Sequence, residues 1–300
     1  MVNVREKLRG NPLLATIVLI LLYTLILFAP DIVLSPLRPF VTDIPYFVQL
    51  LIGFIVSVVF HLILWHFIVP FGLKLPNGKE TLNEYHKSIL LSKIHPLKRN
   101  ILLGLSFTAV YFLSFLCGAF LLGNYVFDLN VLFGTPEPAT LTEPAKRGWF
   151  LFFFAFIPGI WEEIAFRGVI LPLFLRKYSE KKSIIANGII FGAMHSINAI
   201  FLLLGGMDIF VILVLVGTQM IYAGLIGILF AQVANKTQSL LPCIITHYLI
   251  DSVGALVTNA TFSNPILEII ALTVFAGIIP TVCCLLIFKF IIEREEKSKE

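Results

Sequence analysis

Phe150-Leu151-Phe152-Phe153-Phe154-Ala155-Phe156-Ile157 leads into Trp161-Glu162-Glu163-Ile164-Ala165-Phe166-Arg167, and Gly168-Val169-Ile170-Leu171-Pro172-Leu173-Phe174-Leu175 closes the run. Apart from three charged side chains, this stretch is as apolar as a membrane span. A charge near the bilayer centre costs about 2.5–3.5 kcal/mol on insertion scales, so charges kept there carry a function. The rest of the chain reads as the apolar frame around this segment.

Composition agrees. Of 300 residues, 58% are hydrophobic and only 13% charged, with 28 phenylalanines and a mean hydropathy of +0.94. Repeated apolar runs reach the roughly 20 residues that cross a hydrocarbon core as helix. The fold class is therefore all-α, a polytopic membrane protein of about eight transmembrane helices. The net charge of +4 follows membrane topology rather than a nucleic-acid surface, and no nucleic-acid partner is expected. Cys117, Cys243, Cys283 and Cys284 all fall in apolar runs and read as small packing residues, without disulfide or zinc-knuckle spacing.

The basic leader Met1–Gly10 and the run Pro12–Ala29 read as a retained first helix, since no A-x-A-like cleavage site follows. Further spans are expected at about 44–71, 100–123, 149–175, 183–204, 207–234, 239–257 and 266–292. Pro172, Pro242 and Pro280 mark expected breaks or kinks. With the N-terminus inside, eighteen Lys and Arg fall in inner segments. Three, Arg38, Lys146 and Arg147, fall in outer ones, and Arg167 in the membrane completes the 22. This asymmetry predicts both termini in the cytoplasm. The segment Gly72–Arg99 is basic and predicts a surface helix, while Thr135-Pro136-Glu137-Pro138 and Glu143-Pro144 belong to a Pro-rich outer loop. Three regions result: 1–148 with the first three helices, 149–257 as the core, and 258–300 with the last helix and a charged tail. The location expected is a prokaryotic plasma membrane, with membrane lipids as the first partners.

Polar residues recur at helical spacing. Glu163 and Arg167 stand four apart, acid before base, and can neutralise each other on one helix face. Glu162 is turned by about 100° from Glu163 and is left without an obvious cation, which suits a general base. Phe191 and His195 share a face, Asn198 follows a turn later, and His247 and Asp251 again stand four apart. At ~1.5 Å per residue, Glu162 lies ~21 Å, His195 ~18 Å, His247 ~12 Å and Asp251 ~18 Å from the inner ends of their spans. Their depths therefore overlap.

Duller explanations exist for each residue alone, since an intramembrane His or Asn often serves as interhelical glue. His61 and His66 are five apart and read as packing or interfacial residues; His86 and His95 read as solvated. Trp161 reads as a packing neighbour. Gly217, Gly224 and Gly227, with Ala223, read as close-packing positions.

Taken together, Glu162-Glu163-x-x-x-Arg167, Phe191-x-x-x-His195 and His247-x-x-x-Asp251 resemble the three motifs of the CAAX-protease and bacteriocin-processing (CPBP, or Abi) family, whose best-known branch is the type II CAAX prenyl endopeptidases. The resemblance covers roughly residues 149–257. It implies an intramembrane endopeptidase acting on a lipidated or membrane-associated peptide. Glu162 and His195 would activate water, and His247 and the residue at 251 would stabilise the oxyanion. Glu163 and Arg167 would form the supporting pair, with Phe191 and Asn198 in support. The family has Asn or Asp at the last position; an ionised Asp251 would repel an oxyanion, so it is protonated or orients His247. The resemblance implies a metal-free mechanism without cofactor, and zinc is the minor alternative that two imidazoles and a carboxylate would permit. Two competing readings stand beside it: a non-catalytic bacteriocin-immunity or regulatory membrane protein on the same scaffold, and a proton-coupled transporter.

Overall fold

The computed structural model describes residues 4–36, 44–78, 81–138, 147–257 and 259–297. Arg38, Lys79, Glu143, Pro144, Lys146 and Lys299 of the charge and loop reading lie outside them. Among the described residues seven helices have the length and composition to cross a membrane. We label them α1 (Pro12–Leu34), α2 (Tyr46–Leu73), α3 (Leu97–Leu122), α4 (Gly148–Leu175), α5 (Glu180–Leu204) and α6 (Ile209–Thr237), with α8 at Pro265–Arg294. Between α6 and α8 lies α7 (Leu241–Ser252), where a further span was expected. Two short strands, β1 (Gly123–Tyr125) and β2 (Ala260–Phe262), pair antiparallel with Asn124 opposite Thr261. The all-α, polytopic membrane class stands, with this ribbon as an addition that apolar run lengths do not show.

The chain forms two compact units. The first comprises Met1–Ser92, Phe127–Lys177 and His247–Leu256; the second comprises Lys93–Val126, Tyr178–Thr246 and Val257–Glu300.

In the first unit, α1 starts at Asn11, whose side chain accepts from the Leu14 amide, with Pro12 preorganised for the first turn. Leu13, Ile17, Leu21 and Leu25 are exposed at four-residue spacing, whereas Ala15, Leu19, Tyr23 and Ile26 are buried. One face of α1 thus meets lipid and the other meets protein. Of the seven spans α4 is the most enclosed, with 61% of its most apolar window buried against 17–33% in the others. That is where the charges sit. The loop before α4 turns at Gly148 (φ +49), where a Cβ would collide with the Gly134 carbonyl, so only glycine fits. The expected surface helix is present at Leu82–Ser88, opened by a reciprocal Thr81–Glu84 capping box.

Prolines widen the helices rather than break them. The π-wound turns Leu64–Leu73 and Ile157–Glu162 contain Pro70 and Pro158, Ile164–Ile170 precedes Pro172, and Ala271–Ile278 precedes Pro280. A proline lacks the amide that closes an α-turn and crowds the carbonyl four residues back, and i→i+5 winding absorbs both effects. In α8 the carbonyl left over is that of Phe275, five residues before Pro280. Ser114 Oγ of α3 donates to it at 2.6 Å. Pro242, by contrast, sits at the start of α7 and introduces no kink.

In the second unit, α5 and α6 pack backbone to backbone. A Cβ at Gly192 would strike the Met220 carbonyl, and Gly227 lies against the Cα of Gly188. Gly224 and Gly227 are therefore close-packing positions as expected. Gly217 is not, because nothing lies within 4 Å of where its Cβ would be. Asp208 caps α6 by accepting from the amides of Phe210 and Val211.

At 12 residues, α7 reaches only ~18 Å, which is why it falls short of the span expected at 239–257. The first half of α7 lies near the start of α3, where Thr246 Oγ1 donates to the Gly104 carbonyl at 3.1 Å. The far end of α3 carries β1, paired to β2. Thr246 and Ala260, both in the second unit, thus lie towards opposite ends of α3, and the chain between them contains the end of α7 and the short helix Gly254–Val257.

Candidate active site

In the first unit α4 and the end of α7 bring five of the expected residues together. Glu163 Oε1 accepts from Arg167 Nη1 at 2.9 Å and from His247 Nδ1 at 2.8 Å, and the Glu163–Arg167 pair is fully buried. Removing one partner of such a pair costs about 3–5 kcal/mol, because a charge is left stranded. With Nδ1–H committed to Glu163, the other nitrogen of His247 faces the remaining carboxyls. Nε2 lies 3.4 Å from Asp251 Oδ2 and 3.9 Å from Glu162 Oε2. The expected 100° offset between Glu162 and Glu163 does not separate their targets, because the imidazole sits between them and presents one nitrogen to each.

Glu162 is buried, and its Oε2 has no hydrogen-bond partner among the described residues. Its Oε1 accepts from Tyr23 OH of α1 at 3.4 Å. The sequence reading missed Tyr23; its only signal is a polar-tipped ring on the buried face of an otherwise apolar helix. Trp161 is the packing neighbour expected. It stacks on His61 (centroids 5.7 Å, 20°) and meets the edge of His66 (5.8 Å, 72°). These imidazoles stand five apart, across the change from α to π winding in α2 that begins at Leu64. Alignment judged by α spacing missed that both would reach one indole. His61 is fully buried, donates from Nδ1 to the Ser57 carbonyl at 2.7 Å and packs its edge on Tyr23.

His86 is not simply solvated. Its Nε2 lies 3.0 Å from His66 Nδ1, and burial holds its imidazole below the ordinary value. At the start of α4 the Arg147 guanidinium lies 3.7 Å over the Phe154 ring and interacts electrostatically with Asp251. Asp251 therefore sits in the field of Arg147 and beside the His247 imidazole.

The second unit holds His195, Phe191 and Asn198. His195 Nδ1 donates to the Phe191 carbonyl at 2.9 Å, which makes Nε2 the basic atom of the neutral ring. The Phe191 ring meets the imidazole edge-on at 5.0 Å, as the four-residue spacing suggested. Asn198 Nδ2 donates to Gln219 Oε1 of α6 at 2.9 Å, which pins the turn after His195. Among the described residues no group of three or more His, Cys, Asp or Glu is arranged to hold a metal ion.

Two carboxyls flanking a histidine, a third carboxyl held by an arginine, and a ring nitrogen facing the open carboxylate make an acid–base site built for proton transfer. The comparison with known families bears on this segment of the chain. Residues 144–253 match the Type II CAAX prenyl endopeptidase Rce1-like family. No curated protein and no solved structure matches the chain. The Rce1-like segment contains Glu162, Glu163, Arg167, Phe191, His195, Asn198, His247 and Asp251, and it is the family that the three motifs resemble. At the level of the family this supports a CAAX-type protease in a multi-pass membrane protein.

Proposed function

We propose that the chain is an intramembrane endopeptidase in which Glu162 is the general base. The observation that carries this reading is the buried Glu162 carboxylate, with one oxygen held by Tyr23 and the other left unbonded 3.9 Å from His247 Nε2. Glu162 takes a proton from water, and the hydroxide oxygen attacks the carbonyl carbon of the scissile peptide bond. The resemblance implies that His195, whose basic atom is Nε2, also takes part in activating water. His247, its Nδ1–H fixed by Glu163, donates from a protonated Nε2 to the oxyanion, and the surrounding carboxyls offset the ring's charge. Glu162 then returns its proton to the departing nitrogen, the C–N bond breaks, and a carboxylic acid and an amine are released, the acid's proton passing to the amine to leave a carboxylate and an ammonium. Asp251 orients Nε2 rather than contacting the oxyanion. No metal enters these steps.

The substrate proposed is a prenylated or otherwise membrane-anchored peptide, because the site lies on spans enclosed by apolar surface and only such a segment reaches that depth. The test is cleavage by purified protein of prenylated and unprenylated peptides, with and without chelator. Wild-type activity indifferent to chelator, lost at least a thousandfold in correctly inserted Glu162→Ala, supports the reading. A wild-type protein that cuts neither peptide class would instead favour the non-catalytic immunity or regulatory role.

A further inference from the structure

In the first unit α1 begins at Pro12, α2 ends at Leu73 and α4 ends at Leu175. The arginines just beyond these ends gather around the loop that follows α2. Arg5 Nε donates to the Gly72 carbonyl at 2.9 Å, and Arg176 Nη2 donates to the Pro76 carbonyl. The Arg9 guanidinium lies against Gly78, where a side chain would displace it. Arg9 and Arg176 are near enough to repel; that repulsion adds to burial in holding the Arg176 guanidinium below its ordinary value. Among the described residues neither has a carboxylate partner, and Arg9 Nε is buried with its hydrogen unbonded. Two like charges held together with an unmet buried donor are stabilised when an anion sits between them.

We propose that Arg9 and Arg176 bind the phosphate group of an anionic membrane lipid. Position selects the ligand: both guanidiniums lie just past the ends of apolar spans, at the depth of headgroup phosphates. The planar, forked donors of arginine match phosphate oxygens two at a time. A lipid held there links the short helix Val4–Gly10, which precedes α1, to the end of α4, the helix that carries Glu162. The inference does not depend on the proposed chemistry.

The experiment is native mass spectrometry of the full chain in detergent, titrated with dioleoylphosphatidylglycerol, with dioleoylphosphatidylcholine and with inorganic phosphate. Expected is saturable phosphatidylglycerol binding, weakened at least tenfold in Arg9→Gln and in Arg176→Gln. Lys7→Gln, which removes the same charge nearby, should leave it unchanged. Arg9→Lys, with a charge but no fork, should fall between. Equal binding by wild type and by the Arg9→Gln, Arg176→Gln double variant would overturn the assignment. Inorganic phosphate bound as tightly as the lipid would overturn the lipid source and leave a free-phosphate site. Should the variants fail to fold, hydrogen exchange on wild type decides. Residues 74–78 should gain protection in phosphatidylglycerol nanodiscs over phosphatidylcholine ones, and unchanged exchange rejects the proposal.

Discussion

At the scale of single residues, His247 organises the site by dividing its two nitrogens between carboxyls. Oε1 of Glu163 accepts from both Arg167 and His247, so Glu163 serves as a fixed support, whereas among the described residues the Glu162 carboxylate is held only by the Tyr23 hydroxyl and is the one we propose acts. Asp251 faces Nε2 at 3.4 Å, near the charge of Arg147. An amide at this position can still accept from Nε2–H and can also donate to an oxyanion. Asp251→Asn should therefore keep kcat within about tenfold of wild type. Asp251→Ala, with no group to hold the ring, should lose about 10²–10³ in kcat, the usual cost of one oxyanion-stabilising interaction. Steady-state cleavage by the two variants decides; equal loss in both would assign Asp251 an essential negative charge instead.

At the scale of elements, stability rests on backbone contact and on a docked surface helix. The α5–α6 contact has no room for a methyl group at Gly192, whereas Gly217 faces open space. Gly192→Ala should lower unfolding free energy by about 1–3 kcal/mol through overpacking. Gly217→Ala should be neutral or slightly stabilising, and thermal denaturation in one detergent compares them. The helix Leu82–Ser88 docks through His86 on His66. Because burial lowers the His86 value, the undocked state takes up a proton more readily than the docked one. Docking should be at full strength above about pH 6.5, the ordinary histidine value, and weaken as pH falls below it. Amide exchange across Leu82–Ser88, corrected for intrinsic rates, should therefore quicken from pH 7.5 to 5.5, and His86→Gln should flatten the response.

At the scale of the whole molecule, the number of crossings decides which side each end occupies. Seven long helices alone would put the two ends on opposite sides. We propose that the chain between Thr246 and β2, whose two ends lie towards opposite ends of α3, makes an eighth crossing. Combined with eighteen basic residues on the proposed inner segments against three on the outer, this gives our proposal that both ends face the cytoplasm. Green fluorescent protein fused after Glu300 should fluoresce, and alkaline phosphatase at the same place should be inactive. The reverse pattern would mean an odd number of crossings. The long apolar spans were legible in advance, because hydrophobic length is summed along the chain and needs no partner. Span 239–257 was the least legible, because the structure divides that stretch between short helices.

From the sequence alone came the membrane class, seven of the span positions, the Glu163–Arg167 pair and the three motifs. Each depends on residues within a few turns of one another, where composition and periodicity act directly. The tertiary structure alone decided that His247, 84 residues from Glu163, donates to it, and that Tyr23, 139 residues from Glu162, holds its carboxylate. It also decided that π winding sets His61 and His66 on one indole. Such contacts are chosen by how helices pack, and packing energy is shared among many side chains that no local pattern names.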